Sequence, residues 1–358
     1  MGVPTLIRQI GAGSVAALSL CLLAPAAVRA DATRCTGDCN ADVVVTVDEL
    51  VGGVRVALGL TPLPTCDAFD ADHSGGVGID ELVAGIGYAL DGCPRRLVGE
   101  KAFFDTLHGD RDRAEETVTL FEQAVADDPT DGRSYFLLGM THLLQLSREQ
   151  TDIGTPSQAA VDQIARASAA LDNAVPLMPE DTRIPGFRAA ATYVRGVMLG
   201  DADLETLGLS QLRAAFDLNP LFNSFDFIGT VPAIVSPDDP LMAEAVDYLE
   251  YALSPEGLSR CTPNVCFNAG KAPHNIEGSF VLFGDIFAKA GQKDRASMYY
   301  RLSANFAAGS GWRFVDTVEA RLATLDDRVA RYQDDDPEND PPILGRIGTQ
   351  SCAYCHYR

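Results

Sequence analysis

Positive charge is scarce in this chain: 28 Lys and Arg stand against 50 Asp and Glu, a formal net charge of −22 at pH 7. A surface of that sign repels phosphate backbones, so nucleic acid is not expected as a partner, whereas cations and basic partners are compatible. Long apolar runs are missing beyond residue 30, and no later stretch reaches the roughly 18 residues needed to cross a bilayer. No transmembrane segment is therefore expected in the processed chain. Strand-like alternation of apolar and polar residues is also rare, which argues against a β architecture.

The start of the chain has a different character. Arg8 lies in a short basic stretch, residues 15–24 are apolar, and Val28-Arg29-Ala30 is a small-residue cleavage signature. This is the pattern of a secretory signal peptide over residues 1–30, with processing before Asp31 and a periplasmic or secreted destination. Leu20 before Cys21 is too bulky for a lipoprotein cleavage site. Eight of the nine cysteines lie further on, in even groups: Cys35, Cys39, Cys66 and Cys93; Cys261 and Cys266; Cys352 and Cys355. Even groups suit disulfide pairing in an oxidising compartment, and three connectivities are open to the first four. Cys261 and Cys266 are expected to close a short loop, because further zinc ligands are not obvious nearby.

Within residues 31–96 the chain repeats itself at an offset of 32 residues. The first copy offers Asp38, Asn40, Asp42, the carbonyl of Val44, Thr46 and Glu49; the second offers Asp70, Asp72, Ser74, the carbonyl of Gly76, Gly78 and Glu81. Oxygen donors at loop positions one, three, five, seven, nine and twelve make the all-oxygen shell that Ca2+ prefers. The pair, each copy followed by an apolar segment, resembles dockerin-type tandem EF-hand modules. That resemblance implies a calcium-stabilised module; the alternative is that the loops are fold elements held by the four cysteines. Loop 1 has Val43 where the sharp turn at position six normally takes Gly, so tighter binding is expected at loop 2.

From residue 97 to 333 the apolar residues recur at intervals of three and four, which predicts helices throughout. A quartet recurs here: Thr117, Phe121, Ala124 and Pro129; Ala167, Leu171, Ala174 and Pro179; Gly208, Leu212, Ala215 and Pro220. Small residues allow helices to approach, the large one fills between them, and Pro ends the helix. With Tyr135-x-x-Leu138-Gly139 and Phe280-x-x-Phe283-Gly284, this region is similar to tetratricopeptide repeats, which implies a solenoid of helical hairpins with a groove for a peptide or protein. The expected fold is thus all-α, a helical-hairpin repeat solenoid with a small N-terminal EF-hand pair. Insertions are expected around residues 145–157 and 199–207, and residues 222–240 read as an irregular, Pro-rich loop.

The tail, residues 334–358, opens with Asp334-Asp-Asp-Pro337-Glu-Asn-Asp340-Pro341-Pro342, which reads as a solvated, extended linker. It ends in Cys352-Ala-Tyr-Cys355-His356, which resembles the attachment segment of bacterial c-type cytochromes. That resemblance implies haem c joined to Cys352 and Cys355 with His356 as axial ligand. A disulfide or redox dithiol at the two cysteines is the alternative. The opposite haem ligand has no motif: His274 is the leading candidate, followed by His142, His108, Met140, Met178, Met198, Met242 and Met298. His274 is otherwise a hydrogen-bonding residue at the start of the next helix, and His73 lies in a calcium loop. The tail is too short to form a cytochrome domain, so a haem there must lean on the body or on a partner.

These readings combine into a mono-haem c-type electron-transfer or haem-carrying protein on a helical scaffold, working with a redox partner. The alternative is a calcium-stabilised adaptor that binds a protein in its groove and no haem. An enzyme is not expected, since no distal acid or base accompanies the haem motif.

Overall fold

Two matching caps begin the folded chain. Thr46 starts α1 (Val47–Ala57): its side chain accepts the amide of Glu49, while the Glu49 carboxylate accepts the amide of Thr46. Gly78 starts α2 (Ile79–Asp91), and Glu81 accepts its amide in the same way. Short 3-10 turns, Leu63–Thr65 and Asp67–Phe69, lead towards the second loop. The computed structural model describes residues 34–109, 113–149, 153–259, 276–308, 310–334, 336–344 and 355–356, and among these it holds fifteen α-helices and no strand. Among the described residues no helix is long and apolar enough to cross a membrane.

Phe69 is the centre of the N-terminal unit and is fully buried. Its ring lies against Gly37, Gly53 of α1 and Gly85 of α2, so closely that a Cβ at Gly85 would stand 2.7 Å from a ring carbon. Gly53 and Gly85 are one repeat apart, and so are Gly37 and Phe69. One aromatic ring thus serves both halves, because its counterpart is a glycine that makes room for it. Disulfides Cys35–Cys93 and Cys39–Cys66 close this unit, at separations of 58 and 27 residues. On the chain-entropy account each is worth about 4 kcal/mol, which offsets the small core.

Beyond it the helices pack as antiparallel pairs: α3 (Arg95–His108) with α4 (Ala114–Asp127), α5 (Gly132–Leu146) with α6 (Gln158–Leu177), and α7 (Ile184–Leu199) with α8 (Ala202–Leu218). The recurring quartet marks the inner face of each second helix, where Phe121, Leu171 and Leu212 are fully buried. Burying each of them contributes about 2 kcal/mol. In the middle pair the fit is close: a Cβ at Gly139 would meet Leu171 Cγ at 2.7 Å.

Two sequence expectations are corrected here. No insertion separates α7 from α8, because Gly200 takes a left-handed turn (φ 62°) and Asp201 caps α8 through the amides of Asp203 and Leu204. Residues 222–240 are a loop only in part: 222–228 are helical, while 229–239 are irregular apart from the 3-10 turn Val231–Ala233. Asn219 caps α9 (Pro220–Ile228), with Pro at its first position, and Phe227, Ile228 and Val231 are buried in the largest core.

The chain continues through α10 (Pro240–Ala252), α11 (Pro255–Ser259), α12 (Ile276–Lys289), α13 (Lys293–Ala307), α14 (Val315–Ala323) and α15 (Leu325–Tyr332). Every residue from Glu277 to Lys289 is buried, so α12 has no solvent face and forms the axis of this end of the molecule. It packs on α13, where Tyr300 lies against Gly284. In the tail, Asp334 and residues 336–338 are exposed, as a solvated linker requires. Pro341, Ile343 and Leu344 are buried, and the last two belong to the same core as α12.

Candidate metal loops and the C-terminal motif

Loops 1 (residues 38–49) and 2 (residues 70–81) share one hydrogen-bond scheme. Asp38 Oδ2 accepts the amide of Val43 at 2.9 Å, and Asp70 Oδ2 accepts that of Gly75 at 3.0 Å. Asn40 Oδ1 accepts the Asp42 amide at 3.0 Å, matched by Asp72 Oδ1 and the Ser74 amide at 2.9 Å. At the closing position, Glu49 Oε1 accepts the amide of Cys39 and Glu81 Oε1 that of Ala71. The backbone repeats as well: Ala41 and His73 both have φ of 60°, while Val43 and Gly75 have φ of 65° and 86°. The sixth position therefore keeps its left-handed turn with Val in place, at a cost of about 1–3 kcal/mol.

Burial pushes the Asp38 carboxyl up, against the backbone amides of Val43 and Asp42 that lower it. Hydrogen bonds from Ser74 hold Asp72 below the usual carboxylate range. In loop 2, carboxylate oxygens of Asp70, Asp72 and Glu81 all lie within 4.8 Å of one another, close enough to share one cation. The donor set is oxygen only, converging on a turn of fixed shape, and this fits Ca2+.

The helices that follow have an unusual surface. Val47, Val51 and Val54 of α1 and Leu58 at its C-cap are 43–73% exposed, and Ile79, Val83, Ile86 and Leu90 of α2 are 47–81% exposed. Both rows have the spacing four, three, four and differ by the repeat offset alone. The apolar periodicity of these segments was legible in the sequence; that it points outward was not, because Phe69 and the glycines take up the inner face.

The C-terminal motif is placed in part. Cys355 is buried, and His356 follows it in the same helical turn. Cys352, Cys261, Cys266 and His274 lie outside the described residues. Among the remaining axial-ligand candidates, Met242 and Met198 are core residues. His142 is buried with Nδ1 2.7 Å from Gln163 Oε1, and burial lowers its pKa, so a neutral ring is favoured. His108 ends α3 beside Phe104.

Two features escape a sequence reading. Phe136, Phe187 and Phe222 form a row across α5, α7 and α9 with successive centroids 5.7 Å apart, flanked by Arg133 over Phe136 and Arg183 over Phe222. Asp285 of α12 is fully buried between Arg321 and Arg328. Burial alone would raise its carboxyl, but the two guanidinium groups and Tyr300 hold it below the usual range. No protein-family model, no curated protein and no solved structure matches this chain.

Proposed function

We propose that the chain is an extracytoplasmic calcium-binding adaptor whose two loops set a pair of helices for docking to a partner protein. The observation that carries this reading is the pair of equivalent exposed apolar rows on α1 and α2, each directly after an oxygen-rich loop. Exposed apolar surface repeated in register is costly to keep in water unless something covers it. One Ca2+ in each loop would be held by Asp38, Asn40, Asp42, the Val44 carbonyl, Thr46 and Glu49, and by Asp70, Asp72, Ser74, the Gly76 carbonyl, Gly78 and Glu81. The bound cation supplies positive charge that offsets the clustered carboxylates; Glu49 and Glu81 connect it to the first turns of α1 and α2. The test is photo-crosslinking of the full chain in native envelope extract with and without calcium. A calcium-dependent adduct lost in the V51D/V83D double variant supports docking; adducts indifferent to both calcium and the variant overturn it.

A second reading, haem carriage for electron transfer, is favoured by the burial of Cys355 next to His356 on a tail attached to the body. Haem c on Cys352 and Cys355, with His356 below the iron, would supply one-electron chemistry. Expression with cytochrome c maturation factors should then give a Soret band and a covalent mass gain of one haem. A mass lower by two hydrogens, with no Soret band, contradicts it.

A further inference from the structure

Asp285 has more partners than a structural ion pair needs. Arg321 binds it with two parallel bonds, Nε to Oδ1 at 2.8 Å and Nη2 to Oδ2 at 3.0 Å. Arg328 Nη2 donates to Oδ1 at 3.1 Å and the Tyr300 hydroxyl at 2.5 Å. The fifth donor comes from the tail: the Leu344 amide reaches Oδ2 at 2.8 Å across 59 residues of sequence.

The tail also answers the groups left over. One carboxylate faces two guanidinium groups, so the cluster carries excess positive charge in a buried place and needs acceptors. Arg328 Nη2 donates to the Pro342 carbonyl at 3.0 Å, and the Tyr332 hydroxyl to the Pro341 carbonyl at 2.8 Å. Arg331 reaches the Asn339 carbonyl. Consecutive prolines suit this cleft because they bring carbonyls and no N–H groups that would need partners of their own. Ile343 and Leu344 then insert into the core around α12.

We propose that the Asp285, Arg321 and Arg328 cluster is a binding cleft for the chain's own residues 341–344, a strap that docks on the body and opens from it as a separate unit. The cleft takes an extended Pro-Pro-aliphatic-aliphatic peptide, read through its carbonyls and one amide. The inference stands whether or not either cation or haem is bound.

The test is hydrogen exchange of the full, oxidised chain, comparing the native sequence with I343S/L344S. That variant changes the strap and leaves every side chain of the cleft intact. Exchange is expected to rise about a hundredfold in peptides covering residues 339–344, with α3 to α8 unchanged. Unchanged protection at residues 339–344 would mean that this segment is not held by docking in the cleft, and would overturn the proposal. Equal loosening of the whole chain would also overturn it, since the strap would then be ordinary core. Asp285→Asn should reproduce the strap variant's pattern; if it fails to fold, the strap variant alone decides.

Discussion

Gly75 gives the cleanest test of how the two loops are built. Its φ is 86°, and a Cβ added there meets nothing within 4 Å. Replacing it with Ala therefore costs backbone strain and no steric clash. Strain in the left-handed region is worth about 1–3 kcal/mol. Against this, Ala gains about 0.4–1 kcal/mol by narrowing the unfolded ensemble, so a net loss of about 1–2 kcal/mol is expected. Gly76 is the internal control: it too has open space, but its φ lies outside the left-handed region. Gly76→Ala carries the favourable contribution alone and should be neutral or stabilising by up to about 1 kcal/mol. The difference between the variants isolates strain, and corresponds to a change of about 5- to 150-fold in the opening of loop 2. Hydrogen exchange with the disulfides intact reads this directly at the amides of Ala71 and Gly75. Equal opening in the two variants, within about 0.5 kcal/mol, would refute the claim that position six is strained when it is not Gly. Loop 1 already contains that strain at Val43.

Other outcomes follow from the same geometry. Calorimetric titration should show Glu81→Ala weakening calcium binding more than Glu49→Ala, because loop 2 carries no strain at its sixth position. Gly85→Ala should destabilise the N-terminal unit by about 1–3 kcal/mol through overpacking on Phe69, while Gly87→Ala, with open space around it, should not; thermal unfolding compares them. Asp285→Asn removes the charge between two buried guanidinium groups and should cost about 3–5 kcal/mol in denaturant unfolding. Since the Asp285 carboxyl lies below its ordinary value, its contribution is complete above about pH 4 and is lost as pH falls through the folded value. The acid limb of the stability curve should therefore flatten in that variant. V51D/V83D should change stability by less than about 0.5 kcal/mol, because both side chains face water.

Much of the local structure was legible because local rules govern it. The oxygen donors at Asp38, Asn40 and Asp42 mark a loop that folds on its own side chains, and Thr46 and Glu49 at its end also cap the helix that follows. The quartets located the inner faces of α4, α6 and α8, because small and large residues at helical spacing have one way to pack. What failed depends on partners distant in sequence. Residues 222–240 read as a loop because Pro220, Pro232 and Pro240 punctuate them, yet two of these prolines open helices and Phe227 is buried in the core that contains α12. Among the described residues, the reading of 334–342 as a solvated linker fails only at Pro341, which is buried and held through its backbone carbonyl, a contact that leaves no trace in residue identity. Disulfide pairing was open among three choices, and the fold selects the one that spans the whole unit.

Whether the two loops hold calcium is decided by calorimetric titration of the full, oxidised chain with calcium chloride. Two saturable binding events are expected below about 1 mM, the range of extracellular modules, with the tighter one abolished by Glu81→Ala. No saturable binding up to several times that concentration would contradict a calcium role, and would reduce both loops to turns held by their own hydrogen bonds.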